Sequence, residues 1–187
     1  MSAPADAAHN PYAPPKASLE RAPGDEKALF FTASPLKFVV MVVFTLNFYV
    51  LYWFYRNFKV IKERDDNKSM PFWRAFFSPF WAFVCFREIA AAAAGGTYGQ
   101  NAGAANGLGA AYFFLNAISR LPDPWGWLSM GAFLTVLPPN GWARAYNLTV
   151  DPELPENSRF TAANVAWMLL GGLFWAAIVI GYTQPAA

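Results

Sequence analysis

The chain has 187 residues, 56% of them hydrophobic and only 14% charged, against about 25% charged in an average globular domain, so it lacks the polar coat of an ordinary soluble fold. A net charge of +2 is too small and too scattered for nucleic-acid binding, which needs a dense basic face. One Cys (Cys85) and one His (His9) exclude disulfide frameworks, thiolate metal sites, Cys/His nucleophile pairs and paired-His cofactor ligation, so no metal or cofactor is expected.

Residues 1 to 27 contain Pro4, Pro11, Pro14, Pro15 and Pro23 among few large apolar residues, a composition that predicts a solvated, disordered tail. No apolar core follows a basic start, so the segment does not read as a cleavable signal peptide. The domain boundary is drawn after residue 33, with residues 34 to 187 as the membrane domain.

From Phe38 to Tyr55 run eighteen residues without a charge. As one helix they would be about 27 Å long, close to the hydrocarbon thickness, and this predicts a first transmembrane span. Lys37 precedes it. Arg56, Lys59, Lys62 and Arg64 follow it and, with Arg74, are candidate contacts for lipid headgroups. Tyr52, Trp53 and Tyr55 form an aromatic belt at its end. Residues 71 to 94 are also apolar but contain Arg74, Pro79, Arg87 and Glu88. Arg74, Ser78, Trp81, Cys85 and Glu88 share one stripe of a helix, which either crosses with that semi-polar face turned inward or lies partly in the interface. Pro79 is expected to start a new helical stretch.

Residues 107 to 119 and 125 to 137 are read as a helical hairpin with short legs broken by Pro122 and Pro124, the first leg starting as early as Ala102. The Ala/Gly-rich stretch from Ala90 to Gly107 is a helix end running into a connection. Asn164 to Tyr182 is the second predicted span, nineteen uncharged residues that Thr161 can cap. Small residues four apart let helices approach closely in lipid, which marks Gly103, Gly107 and Ala111, Gly172 and Ala176, and Ala177 and Gly181 as candidate helix-packing positions. Residues 56 to 74 hold six Lys/Arg, whereas residues 138 to 160 hold two Arg beside Asp151, Glu153 and Glu156, so the first loop is expected on the cytoplasmic side. If the first span crosses once, the tail then lies on the opposite side. Asn147-Leu-Thr149 matches a glycosylation pattern by spacing alone.

The blocks LYWFYRNFKVIKERD (51 to 65), MPFWRAFFSPFWAFVCFREI (70 to 89), SRLPDPWGWLS (119 to 129), LPPNGWARAYN (137 to 147) and NSRFTAANVAWMLLGGLFW (157 to 175) resemble, in their order and spacing, a group of small uncharacterised multi-pass membrane proteins of bacteria. The resemblance covers residues 34 to 182. It implies a bacterial inner-membrane location and brings no catalytic motif.

Chemistry is sparse. No hydrolase elbow, P-loop, zinc helix or dinucleotide fingerprint is present, and Glu88 and Asp123, the carboxylates available for acid-base work, lie in different segments. Candidate intramembrane polar residues are Arg87 and Glu88 with the amides Asn47, Asn116 and Asn164; Arg120 and Asp123 could pair locally. The expected architecture is an all-α integral membrane bundle with four to five membrane-embedded helices. The expected function is that of a non-catalytic accessory or interaction subunit of an inner-membrane assembly, in contact with membrane lipid and other membrane helices and not with nucleic acid. The alternatives are a small transporter or channel using the face from residue 74 to 88, and a lipid- or quinone-binding protein.

Overall fold

The computed structural model of the protein describes residues 29–66, 68–95, 101–122 and 125–183. The tail up to residue 28, with its expected disorder and its lone His9, lies outside the described residues, as does Asp123. Among the described residues the fold is all-helical, with seven α-helices, one 3-10 helix and no strand.

The uncharged run from Phe38 to Tyr55 is not one helix. Helix α1 (Pro35–Phe44) ends at a turn over Thr45, Leu46 and Asn47, and α2 (Phe48–Asp65) follows. Leu46 and Asn47 both take left-handed backbone angles, φ 51° and 70°, which an α-helix cannot contain. The Thr45 hydroxyl stabilises the break by donating to the Met41 carbonyl at 2.6 Å and accepting from the Tyr49 amide at 3.0 Å. After the turn the chain reverses, and the Phe38 ring meets Tyr49 at 5.7 Å and Trp53 at 6.5 Å. Helices α1 and α2 are therefore antiparallel, and the start of α1 lies at the same end of the molecule as the charged end of α2. The single crossing helix on which the opposite placement of tail and basic loop depended is therefore absent.

Helix α3 (Pro71–Phe76) and helix α4 (Ser78–Ala93) meet at Phe77, with Pro79 in the first turn of α4 as expected. Helix α5 (Ala102–Ile118) begins at Ala102 and packs antiparallel to α4. Ser78 bonds the Tyr112 hydroxyl at 3.2 Å, Phe80 meets Phe113 at 5.5 Å, and Gly109 lies so close to Phe83 that a Cβ would come within 3.1 Å of the Phe83 Cα.

Residues Trp125–Val136 form a 3-10 helix instead of the expected α-helical leg, and the chain continues directly into α6 (Leu137–Val150), a stretch expected to be mostly loop. Pro138 and Pro139 do not break α6, because a proline in the first turn removes only N–H groups that have no helical partner. Met130 and Phe133 lie beside Leu46 and Asn47, near the α1–α2 turn. Asn140 and Asn147 bring α6 back to the level of Ala33 and Phe30. Three successive segments thus run inward and return. Their joint core is aromatic, centred on Trp53, Phe54, Phe58 and Phe86, all fully buried.

Helix α7 (Ala162–Thr183) differs. At 22 residues it is about 33 Å long, and it alone among the described helices is long and apolar enough to cross a membrane, so of the two expected full spans the structure supports the second and not the first, and a bundle of four to five spans is not shown. It lies along the outside of the molecule. Leu169 and Leu173 remain 67% and 71% exposed. Gly171 sits against the carbonyl oxygen of Phe44, where a Cβ would overlap it, and the Trp175 indole N–H donates to the Val43 carbonyl at 2.9 Å. Below that contact, at the depth of the α1–α2 turn, α7 runs on for about 12 Å more.

Candidate functional site

The segment just before α1 is extended and buried, yet no strand lies beside it to satisfy its backbone. A buried, unpaired peptide group is costly. Asparagine side chains take the place of the neighbouring strand. Asn147 accepts from the Phe30 amide at 3.0 Å and donates to the Phe30 carbonyl at 2.8 Å. Asn57 does the same for Phe31, at 3.0 and 3.1 Å, and Asn140 for Ala33, at 3.1 and 2.7 Å. Asn157 donates to the Thr32 carbonyl at 3.0 Å. An amide side chain presents a donor and an acceptor in the same arrangement as a peptide group, so each one closes a small ladder rung. Residues 30, 31 and 33, on the tail side of the boundary drawn after residue 33, are thus bonded to α2 and α6. Buried and doubly bonded, Asn147 is closed to glycosylation.

Lys37 is 3% exposed. Its ammonium donates to Asn157 Oδ1 at 2.7 Å and to the Arg159 carbonyl at 2.6 Å, and burial lowers its pKa. The span edge expected at Lys37 is thus a tie between α1 and the loop before α7. Lys37→Met leaves both oxygens without this donor and is expected to destabilise the protein by about 1–2 kcal/mol, read as a lower midpoint of thermal unfolding in detergent.

Beside this tie a cleft of about 550 Å³ opens between α7 and the α1–α2 pair, lined by Met41, Phe48, Tyr49, Tyr52, Asn164 and Trp167 among others. Thr161 and Asn164 close its upper end with a reciprocal cap. The Asn164 amide donates to Thr161 Oγ1 at 3.3 Å, and Asn164 Oδ1 accepts from the Thr161 amide at 3.1 Å, a capping box with Asn in place of Glu. Arg56 donates to the Tyr52 hydroxyl at 2.8 Å and stacks 5.1 Å from the Phe31 ring.

The remaining candidate residues are scattered. Asn47 sits in the left-handed turn and makes no capping bond, and Asn116 bonds its own helix at the Tyr112 carbonyl at 2.8 Å. Arg87 is exposed and Glu88 half-buried. On the stripe from residue 74 to 88, Ser78 and Cys85 are buried in packing, and Arg74 stacks 4.6 Å from Trp81. Lys59 pairs with Glu63 at 3.9 Å on the exposed face of α2, near Lys62, and Arg64 lies 5.2 Å from the Phe30 ring. Gly103, Gly107 and Gly181 face open space, Ala111 is half-buried, and Ala176 and Ala177 are exposed; Gly172 comes near only the ring of Phe44. The close approaches are made instead by Gly109 and Gly171. No group of three His, Cys, Asp or Glu side chains is gathered among the described residues. No protein-family model, curated protein or solved structure matches the chain.

Proposed function

We propose that the protein is a non-catalytic integral membrane protein of the bacterial inner membrane, an accessory or interaction subunit whose helical segments enter the bilayer from the cytoplasmic side. One observation carries the reading: the most apolar helix, α7, lies outside the protein's own core, with Leu169, Leu170, Leu173, Phe174, Val179 and Ile180 exposed. An apolar surface of that extent needs lipid or another protein over it. On this reading α7 crosses, whereas the α1–α2, α4–α5 and 3-10–α6 pairs dip in and return, which gives a multi-pass set of membrane-embedded helices with one full span. The basic residues Arg56, Lys59, Lys62 and Arg64 then stand at the cytoplasmic headgroups, and the tail lies on that same side without needing export. The resemblance noted in the sequence agrees with this placement.

Washing membranes with alkaline carbonate tests the location. The protein is expected to stay in the pellet, and its release into the supernatant would remove the reading. Native mass spectrometry after extraction in mild detergent tests the accessory role. A second polypeptide bound to the chain is expected, and a lone monomer would count against it.

A further inference from the structure

The cleft between α7 and the α1–α2 pair is graded along its length. Helix α7 runs alongside α1 and opposite to α2, so Thr161 and Asn164 lie level with Tyr52, while Trp167 lies level with Phe48 and Met41. Further down, Gly171 closes on Phe44 and shuts the apolar end. Arg56 is outside the lining but joined to it by the 2.8 Å bond to Tyr52; it is exposed, with no carboxylate in ion-pair range among the described residues. Tyr49, 6% exposed, lines the cleft as well. A mostly apolar cleft whose lining tyrosine, Tyr52, carries an exposed guanidinium suits a molecule with a hydrocarbon chain and an anionic head. Its volume of about 550 Å³ falls in the usual range for small-molecule sites.

We infer that this cleft is a binding site for one anionic phospholipid, its phosphate held by Arg56 with Tyr52, and an acyl chain lying between Phe48, Met41 and Trp167. The inference rests on the membrane reading above, because that reading puts the Arg56 end of the cleft at the headgroups and the Phe44 end among acyl chains. An arginine–phosphate contact is charge-assisted and directional, and it discriminates an accessible anionic head from a zwitterionic one whose charge is internally balanced. It also links the site to the fold. Arg56 stacks on Phe31, a residue of the asparagine-held segment, so the cation is positioned by a part of the chain that cannot shift freely.

The test is native mass spectrometry of the full chain in mild detergent, titrated with phosphatidylglycerol or with phosphatidylcholine of the same acyl chains. The wild type is expected to bind one phosphatidylglycerol about tenfold more tightly than phosphatidylcholine, the scale of one charged hydrogen bond. Arg56→Gln should erase that preference while leaving weak binding of both lipids. Ala163→Trp, which places an indole in the cleft from an exposed position on α7, should remove both, with the helical circular dichroism of each variant unchanged. Equal binding of the two lipids by the wild type, or retention of phosphatidylglycerol by Ala163→Trp, would overturn the site. A chain that stays with carbonate-washed membranes but shows no preference removes this site and leaves the membrane reading standing; a chain released by carbonate removes both.

Discussion

Replacing Asn140 with Leu is expected to cost the protein about 3–5 kcal/mol, a large part of the stability a domain of this size has. Asn140 is buried in the first half of α6. Its oxygen accepts from the Ala33 amide and from the Trp53 indole N–H, both at 3.1 Å, and its nitrogen donates to the Ala33 carbonyl at 2.7 Å. Leucine has similar bulk and no polar atom, so three buried groups lose their partner together, at roughly 1–3 kcal/mol for each one left unsatisfied. The effect should reach beyond the point of substitution, because Trp53 is at the centre of the aromatic core and Ala33 leads directly into α1. The comparison is Asn106→Leu on the exposed face of α5, expected to change stability by no more than about 0.5 kcal/mol. Thermal unfolding in detergent, followed by tryptophan fluorescence, gives both numbers. Proteolysis near residues 29 to 34 should accelerate in Asn140→Leu alone. If the two variants melt together, the asparagine rungs do not hold the segment.

The same residues show what the sequence could and could not reveal. Asn47, Asn116 and Asn164 attract attention because each interrupts an apolar run, yet in the fold they serve local turns, caps and helix backbone. Asn57, Asn140, Asn147 and Asn157 stand among charged or proline-rich stretches and look solvated, although the first three are fully buried or nearly so. A signal was present in α6, where Asn140, Ala143 and Asn147 fall on one helical face, but Pro138 and Pro139 read more readily as a break than as a first turn. The turn at Leu46 was hidden for a different reason. Length without charge measures fitness for oil and says nothing of whether the chain reverses inside it, and Leu is a poor advertisement for a left-handed backbone. Helix α7 was legible because its uncharged length and its Thr161 cap agree. The small-residue contacts were legible in kind but not in register. In α5, glycine and alanine occupy every face, so the spacing of four that picks Gly103, Gly107 and Ala111 also fits Ala105 and Gly109, which are the buried pair.

Register decides the second large effect, at two glycines of α7. Gly171→Leu is expected to undock the middle of α7, whereas Gly181→Leu, ten residues further along the same helix, should be nearly silent. A side chain at position 171 would overlap the Phe44 carbonyl oxygen, which belongs to backbone and cannot swing aside, while a side chain at position 181 meets open space. Relief requires α7 to move away from α1, and that breaks the 2.9 Å bond from the Trp175 indole to the Val43 carbonyl. Overpacking of this kind costs about 1–3 kcal/mol, so the unfolding midpoint in detergent should fall by several degrees for Gly171→Leu. Both variants should remain in carbonate-washed membranes, since leucine makes α7 no less apolar. The lipid cleft separates docking from anchoring. It is walled by α7 on one side, so Gly171→Leu should also weaken phosphatidylglycerol binding, and Gly181→Leu should not. Equal stability of the two variants would mean that α7 is held by the bilayer alone and that its contact with Phe44 contributes nothing.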